Sequence, residues 1–208
     1  MEEINERISN EFSNNIFLEI SDNNLIDDYI KTKSVKKEIE KLENILNKYI
    51  NDNTIKNNII NDYLLELIPP GTKGLIRGNK FNNIIFNYIL NLNLDKKRFI
   101  ISFKKKCDYF ITDEIPDLYI YDLYNNKIII GMNQLDLWNG GQQINRGYKY
   151  ILNNNYDNIN NKLLCIVCNK IILKSKNNKI YKLFEIGFKN NTLCYINNLK
   201  FIILSFFF

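Results

Sequence analysis

A helical spacing of apolar residues runs through the first third of this chain and is broken at Pro69-Pro70-Gly71, and that break limits the folds open to it. Before it, Ile4, Ile8, Phe12 and Ile16 recur every fourth residue, and Ile39, Leu42, Leu46 and Tyr49 step by three or four. Glu and Lys fill the other faces, which predicts amphipathic helices. The two prolines end that region. A glycine-studded loop follows, and the spacing then predicts an apolar helix over 79–92. Three strand-like segments come next, 98–104, 117–123 and 127–135, the last two joined as a hairpin by the turn Tyr124-Asn125-Asn126. A helix is predicted over 142–152 and a strand over 162–172. Residues 179–188 read as helix or strand, and the apolar run 201–208 reads as a buried last strand, since eight residues fall far short of the ~20 of a membrane helix. The succession predicts an α/β fold, a mixed central sheet flanked by helices, with a helical N-terminal region over 1–68 and the α/β core over 69–208 as one compact unit.

Composition narrows the chemistry. With 208 residues, 45% of them hydrophobic and 25% charged, the chain can bury a core and is neither disordered nor fibrous. It contains no His, which excludes Ser-His-Asp and Cys-His catalysis, HExxH zinc sites and His-zinc deamination. The acidic opening, Met1-Glu2-Glu3, is unlike a signal peptide, so an intracellular, non-secreted chain without a membrane anchor is expected. Free thiols are therefore expected at Cys107, Cys165, Cys168 and Cys194, with Cys165 and Cys168 as two small core residues of a strand rather than half of a zinc site. A net charge of +5 is compatible with a nucleic-acid partner.

Asn and Ile dominate the sequence and Lys outnumbers Arg, as A- and T-rich codons would produce, so Asn-rich stretches carry little information. Against that background the scarce residues cluster. All three Gln lie at 134, 142 and 143, the single Trp is Trp138, and seven of the eight Gly fall within 69–78 and 131–147. These two windows are read as the working parts.

In the second window, Pro116-Asp117 opens one strand and Asn133, Gln134 and Asp136 close the next. An acid and polar partners then stand side by side at one end of the sheet. Alternation directs Gln134 and Asp136 together and Asn133 oppositely. Gly140 and Gly141 start a helix that carries Gln142, Arg146 and Lys149 on one face. Asp117 and Asp136 could hold a hard divalent cation such as Mg²⁺, while Gln142, Gln143, Arg146 and Lys149 could grip a phosphodiester or read bases. In the first window, Lys73, Arg77 and Lys80 punctuate a glycine-rich segment before a helix, a place where backbone N–H groups attract anions. Plain helix entry, with glycines at positive φ, explains the same residues. The run Lys104–Lys106 reads as a solvated face.

From Pro69 to Ile172 the chain resembles the PD-(D/E)xK nuclease superfamily, particularly type II restriction endonucleases. Asp117 matches the family's first acid. The (D/E)xK half falls near Asn133-Gln134-Leu135-Asp136, where either Asp136 supplies the second carboxylate with Gln134 as its partner or Asn133 has replaced an acid, and Lys149 would stand in for the absent lysine. The resemblance implies a restriction-endonuclease-like core and a Mg²⁺-dependent, sequence-specific endonuclease of double-stranded DNA leaving 5′-phosphate and 3′-hydroxyl ends, acting as a homodimer. It implies Asp117, Asn133, Gln134, Asp136 and Lys149 as the catalytic set and Asp117 with Asp136 as metal ligands. DNA contact falls to Lys73, Arg77, Asn79, Lys80, Gln142, Gln143, Asn145 and Arg146. A catalytically inactive DNA-binding relative of that fold is the alternative, and a purely structural or interaction protein is a third reading.

Overall fold

A computed structural model describes residues 2–106, 115–137, 141–152, 158–168 and 179–208, without the side chains of 141–144. Its contacts divide the chain into two compact units, one of residues 15–80 and one of residues 1–14 with 81–208. The division departs from the 1–68 and 69–208 reading at both ends. Residues 69–80 group with the helical unit. The first helix, α1 (Glu2–Glu11), groups with the sheet because Ile8 is buried in the sheet's core and the Arg7 guanidinium lies 4.1 Å from the centre of the Phe188 ring.

The helical unit contains α2 (Asn14–Glu19), a 3₁₀ turn (Asn23–Leu25), α3 (Ile26–Ile30), α4 (Lys33–Leu46), α5 (Asn53–Leu67) and the first half of α6 (Pro70–Leu90). Local chemistry sets these ends. The Thr32 hydroxyl accepts from the Val35 N–H, and the Asp52 carboxylate accepts from the N–H groups of Thr54 and Ile55, satisfying donors that a helix start leaves open. Ile68 is extended before Pro69, as a residue preceding proline prefers, and Pro70 takes the first position of the next helix. Leu25, Tyr29, Val35 and Ile68 form the small core.

One expectation is corrected here. The segment 69–78 is not a loop before a helix. It is the opening of α6, continuous to Leu90. Gly71, Gly74 and Gly78 would each meet no atom within 4 Å on gaining a Cβ, and no described glycine has a left-handed φ.

The other unit is built on a five-stranded mixed sheet in the order β1-β2-β3-β4-β5: β1 (Phe99–Phe103), β2 (Leu118–Asp122), β3 (Lys127–Gln134), β4 (Asn161–Val167) and β5 (Leu193–Cys194). β1, β2 and β3 pair antiparallel, while β3 with β4 and β4 with β5 are parallel. The α/β class, the mixed sheet and the helix–strand–strand–strand–helix–strand succession agree with the sequence reading. Ile128, Ile130 and Met132 of β3 share one face with Leu163, Cys165 and Val167 of β4. They pack under α7 (Gly141–Ile151) and α8 (Lys179–Lys189) through Tyr150, Ile151 and Phe184. On the opposite face Phe103 stacks on Phe86 of α6, and Phe99 meets Phe207 of α9 (Ile196–Phe207).

The run 201–208 is therefore a correction too. It belongs to α9, not to a strand. Its buried residues, Ile196, Leu199, Ile202, Ile203 and Phe207, repeat at helical spacing once counted from Ile196. Residues 179–188 are helical, in α8. Two bases tie the end of α9 to the sheet: Arg98 donates to the Phe207 carbonyl at 3.3 Å and Lys127 to the Phe206 carbonyl at 2.7 Å. Arg98 also grips the fully buried Asp122 with two bonds, and Asp122 accepts from the Tyr124 and Asn125 N–H groups, fixing the β2–β3 turn. Among the described residues, no helix is long and apolar enough to cross a membrane.

Candidate active site

The candidate site sits where β2 begins and β3 ends. Asp117 immediately precedes β2, and its own N–H donates at 3.0 Å to the carbonyl of Gly131, the residue already paired with Leu118. Two residues of one strand thus face one of the other, and the β2–β3 ladder ends in a bulge at Asp117. Its side chain faces α7, whose Arg146 it meets, on the side of the sheet that Met132 shares. Gly131 makes room for the strand it faces, since a Cβ there would stand 3.0 Å from the Leu118 Cβ.

Asp117 is 9% exposed. Its Oδ2 accepts from the Asn133 backbone N–H at 3.0 Å and faces the Arg146 guanidinium of α7 at 3.4 Å. Both contacts fall on Oδ2, leaving Oδ1 out of them. Burial pushes the Asp117 carboxyl above the ordinary carboxylate range, and the Asn133 N–H and the charges of Arg146 and Lys104 oppose that rise without cancelling it. A carboxyl in this state, beside two cations at a sheet end, is the kind of perturbed acid that marks functional sites.

Asn133 points its side chain to the other face. Its Nδ2 donates at 2.9 Å to Oδ1 of Asn82, a buried residue of α6 among Phe81, Ile85 and Ile89, and its own Oδ1 is buried with no hydrogen-bond partner among the described residues. The alternation of Asn133 and Gln134 across β3 thus follows expectation.

Asp136 does not continue that alternation. β3 ends at Gln134, whose side-chain amide donates to the Asp136 carbonyl at 3.2 Å, and the Leu135 carbonyl accepts from the Cys168 N–H beyond β4. The chain turns toward β4 and away from β2. The Asp136 charge acts on Tyr195, which follows β5, whereas the charges that act on Asp117 are those of Arg146 and Lys104. Among the described residues, no group of three or more Cys, Asp or Glu side chains gathers as a metal site.

The remaining predicted residues divide. Asn145 and Lys149 are exposed on α7, along with the half-buried Arg146. Gln142 and Gln143 lie in the first turn of α7, their side chains outside the described set, as are Trp138, Asn139, Gly140 and Cys107. Lys73, Arg77, Asn79 and Lys80 lie on α6 within the helical unit. There Lys73 pairs with Asp22 at 3.8 Å, and Arg77 donates to the Ile20 carbonyl at 3.2 Å, while Asp22 also accepts from the Tyr29 hydroxyl. These two cations thus serve the packing of that unit.

Cys165, Cys168 and Cys194 are free and buried, and burial pushes the Cys165 and Cys194 thiols upward. A groove of about 510 Å³ lined by Tyr88, Asn197, Lys200, Phe201, Leu204 and Ser205 contains none of the predicted residues.

Sequence reasoning missed Asn82 and Lys104. A polar residue inside the stripe Phe81, Ile85, Ile89 was the available signal for the first. Lys104 was hidden in a run of three lysines. No protein-family model, curated protein or solved structure matches this chain.

Proposed function

We propose that the chain is a Mg²⁺-dependent, sequence-specific endonuclease of double-stranded DNA on a restriction-endonuclease-like core. The observation that carries this reading is the place of Asp117. It is a buried carboxylate at the entry to β2, on the face crossed by α7, within the strand and helix succession that the resemblance calls for.

Mg²⁺ takes oxygen ligands, commonly one or two carboxylates with several waters retained. Asp117 offers an oxygen outside its existing bonds, and Gln134, whose amide nitrogen donates to the Asp136 carbonyl, offers a side-chain carbonyl on the same face, so the donors fit. Asp117 would hold the ion, with the side-chain carbonyl of Gln134, on the same face, as a further oxygen. The bound ion would supply Lewis-acid polarisation of a phosphodiester and a lowered pKa for an attacking water. The Asn133 N–H orients the Asp117 carboxylate, Asn82 fixes the Asn133 amide, and Arg146 sets a positive charge beside the carboxylate. Asn145 and Lys149 on α7 are exposed where DNA would lie. Products would carry 5′-phosphate and 3′-hydroxyl ends, and paired cuts call for a two-fold homodimer.

One observation favours a second reading, a DNA-binding relative that does not cleave. The β3 residues on the Asp117 face are Met132 and Gln134, neither of them acidic.

The test is incubation of the purified chain with mixed-sequence plasmid DNA in Mg²⁺ and in EDTA, beside Asp117→Ala. Discrete fragments that need Mg²⁺ and vanish in the variant support the nuclease. Intact DNA retarded on a gel at low salt supports the binder. Neither cleavage nor retardation sinks both.

A further inference from the structure

Four described residues other than glycine hold a left-handed backbone: Asn93, Lys104, Asn126 and Asn191, with φ of 51, 48, 54 and 53°. Three are Asn, which tolerates that region better than most residues bearing a Cβ. Asn is abundant in this sequence, so the lysine at the fourth position has no backbone explanation.

Lys104 directly follows β1. Its N–H donates to the Asp117 carbonyl at 3.1 Å, which fixes its backbone beside the residue that carries the candidate site. Its side chain is exposed, and its charge, with that of Arg146, acts on the Asp117 carboxylate. A strained backbone that persists at such a place points to a role for the side chain it carries.

From this juxtaposition we infer that Lys104 is a phosphate-positioning residue: the left-handed turn at the end of β1 holds its ammonium beside Asp117, where it contacts a phosphodiester of the bound nucleic-acid backbone. The inference rests on the nucleic-acid reading above and deepens it with a residue of β1, where the sequence pattern looked to Lys149 of α7.

Lys104→Asn removes the charge while keeping a residue suited to the backbone, Lys104→Arg keeps the charge, and Lys105→Asn removes a neighbouring exposed charge. Each full-length variant is titrated with a mixed-sequence DNA duplex in EDTA over a range of salt, and its Tm is measured. Lys104→Asn is expected to raise Tm by about 2–4 °C as backbone strain is relieved. The same variant should weaken DNA retention and lower the slope of log affinity against log salt by about one. Lys104→Arg should restore the slope, and Lys105→Asn should leave it as in the parent. An unchanged slope in Lys104→Asn, or an equal loss in Lys105→Asn, overturns the inference while the nucleic-acid reading stands. A parent chain that does not bind the duplex at low salt overturns both.

Discussion

Exchanging glycine for alanine at two places in this chain should change stability in opposite directions. Gly74 and Gly78 lie inside α6, and an added Cβ on either meets no atom within 4 Å. Alanine is favoured over glycine in a helix interior by about 1 kcal/mol, which for a chain of this size is about 2–4 °C in Tm. Gly74→Ala and Gly78→Ala should each raise Tm by that amount. Gly187 in α8 differs, since its Cβ would stand 2.5 Å from the Leu193 Cβ and 3.1 Å from the Ile151 Cγ2. Ordinary carbon contacts lie at about 3.5–4.0 Å. The nearest atom is itself a Cβ, so no rotamer of Leu193 relieves the clash, and either α8 or β5 must move. Overpacking of this kind costs about 1–3 kcal/mol. Less the helix gain of about 1 kcal/mol, Gly187→Ala should lose up to about 2 kcal/mol and several degrees. Calorimetric melting of the parent and the three variants in one buffer decides. A fall for Gly74→Ala or Gly78→Ala would refute the continuous α6 helix and restore the anion-cradling loop. A rise for Gly187→Ala would refute the close packing of α8 on β5.

Two further predictions concern pH. Asp117 has a raised carboxyl pKa, so the folded chain holds that proton more firmly than the unfolded one, and stability is lost as pH rises through the interval between the two values. Asp117→Asn should therefore raise Tm at pH 7, the gain disappearing below the carboxylate range, as melting across pH would show; a loss of Tm at pH 7 would contradict it. Asp122 is the opposite case. The Arg98 guanidinium holds its carboxyl far below the ordinary value, so its contribution is fully present above about pH 4 and is lost as pH falls below that. Asp122→Asn should melt lower at pH 7 and show a shallower acid limb than the parent, and parallel limbs would argue against the pair.

The β2–β3 hairpin was legible because its signals agree. The alternation is clear, and Asn126 supplies the left-handed turn residue that such a turn uses. Asp117 was legible because proline precedes it at a strand entry. Other features were hidden for physical reasons. A wholly apolar run gives no period, so the 201–208 stretch could be assigned to α9 only through its partners upstream. Three glycines signal a loop in sequence, yet each sits at an open position of α6 where the missing side chain displaces nothing. A two-residue strand such as β5 carries no pattern at all. Asp136 looked like a strand residue until the bond between Leu135 and Cys168 ended the alternation early. The membership of α1 in the sheet unit depends on Ile8 and Arg7 meeting residues far along the chain, which no local signal records.

The parallel pairing of β3 with β4 gives the candidate site a place in the order of folding. The β2–β3 hairpin closes through residues 123–126, and hairpins form in about 1–10 μs. The β3–β4 pairing must wait until residues 135–160 have crossed over, because loop closure precedes the contacts that reward it. Asp117 and Asn133 flank the hairpin, whereas Arg146 rides on the crossover helix. The carboxylate therefore meets its backbone donor early, in water, and is desolvated and joined by its guanidinium only when α7 docks. The raised proton affinity of Asp117 thus depends on the burial that the folded sheet and its helices supply, since the hairpin alone leaves the carboxylate in water.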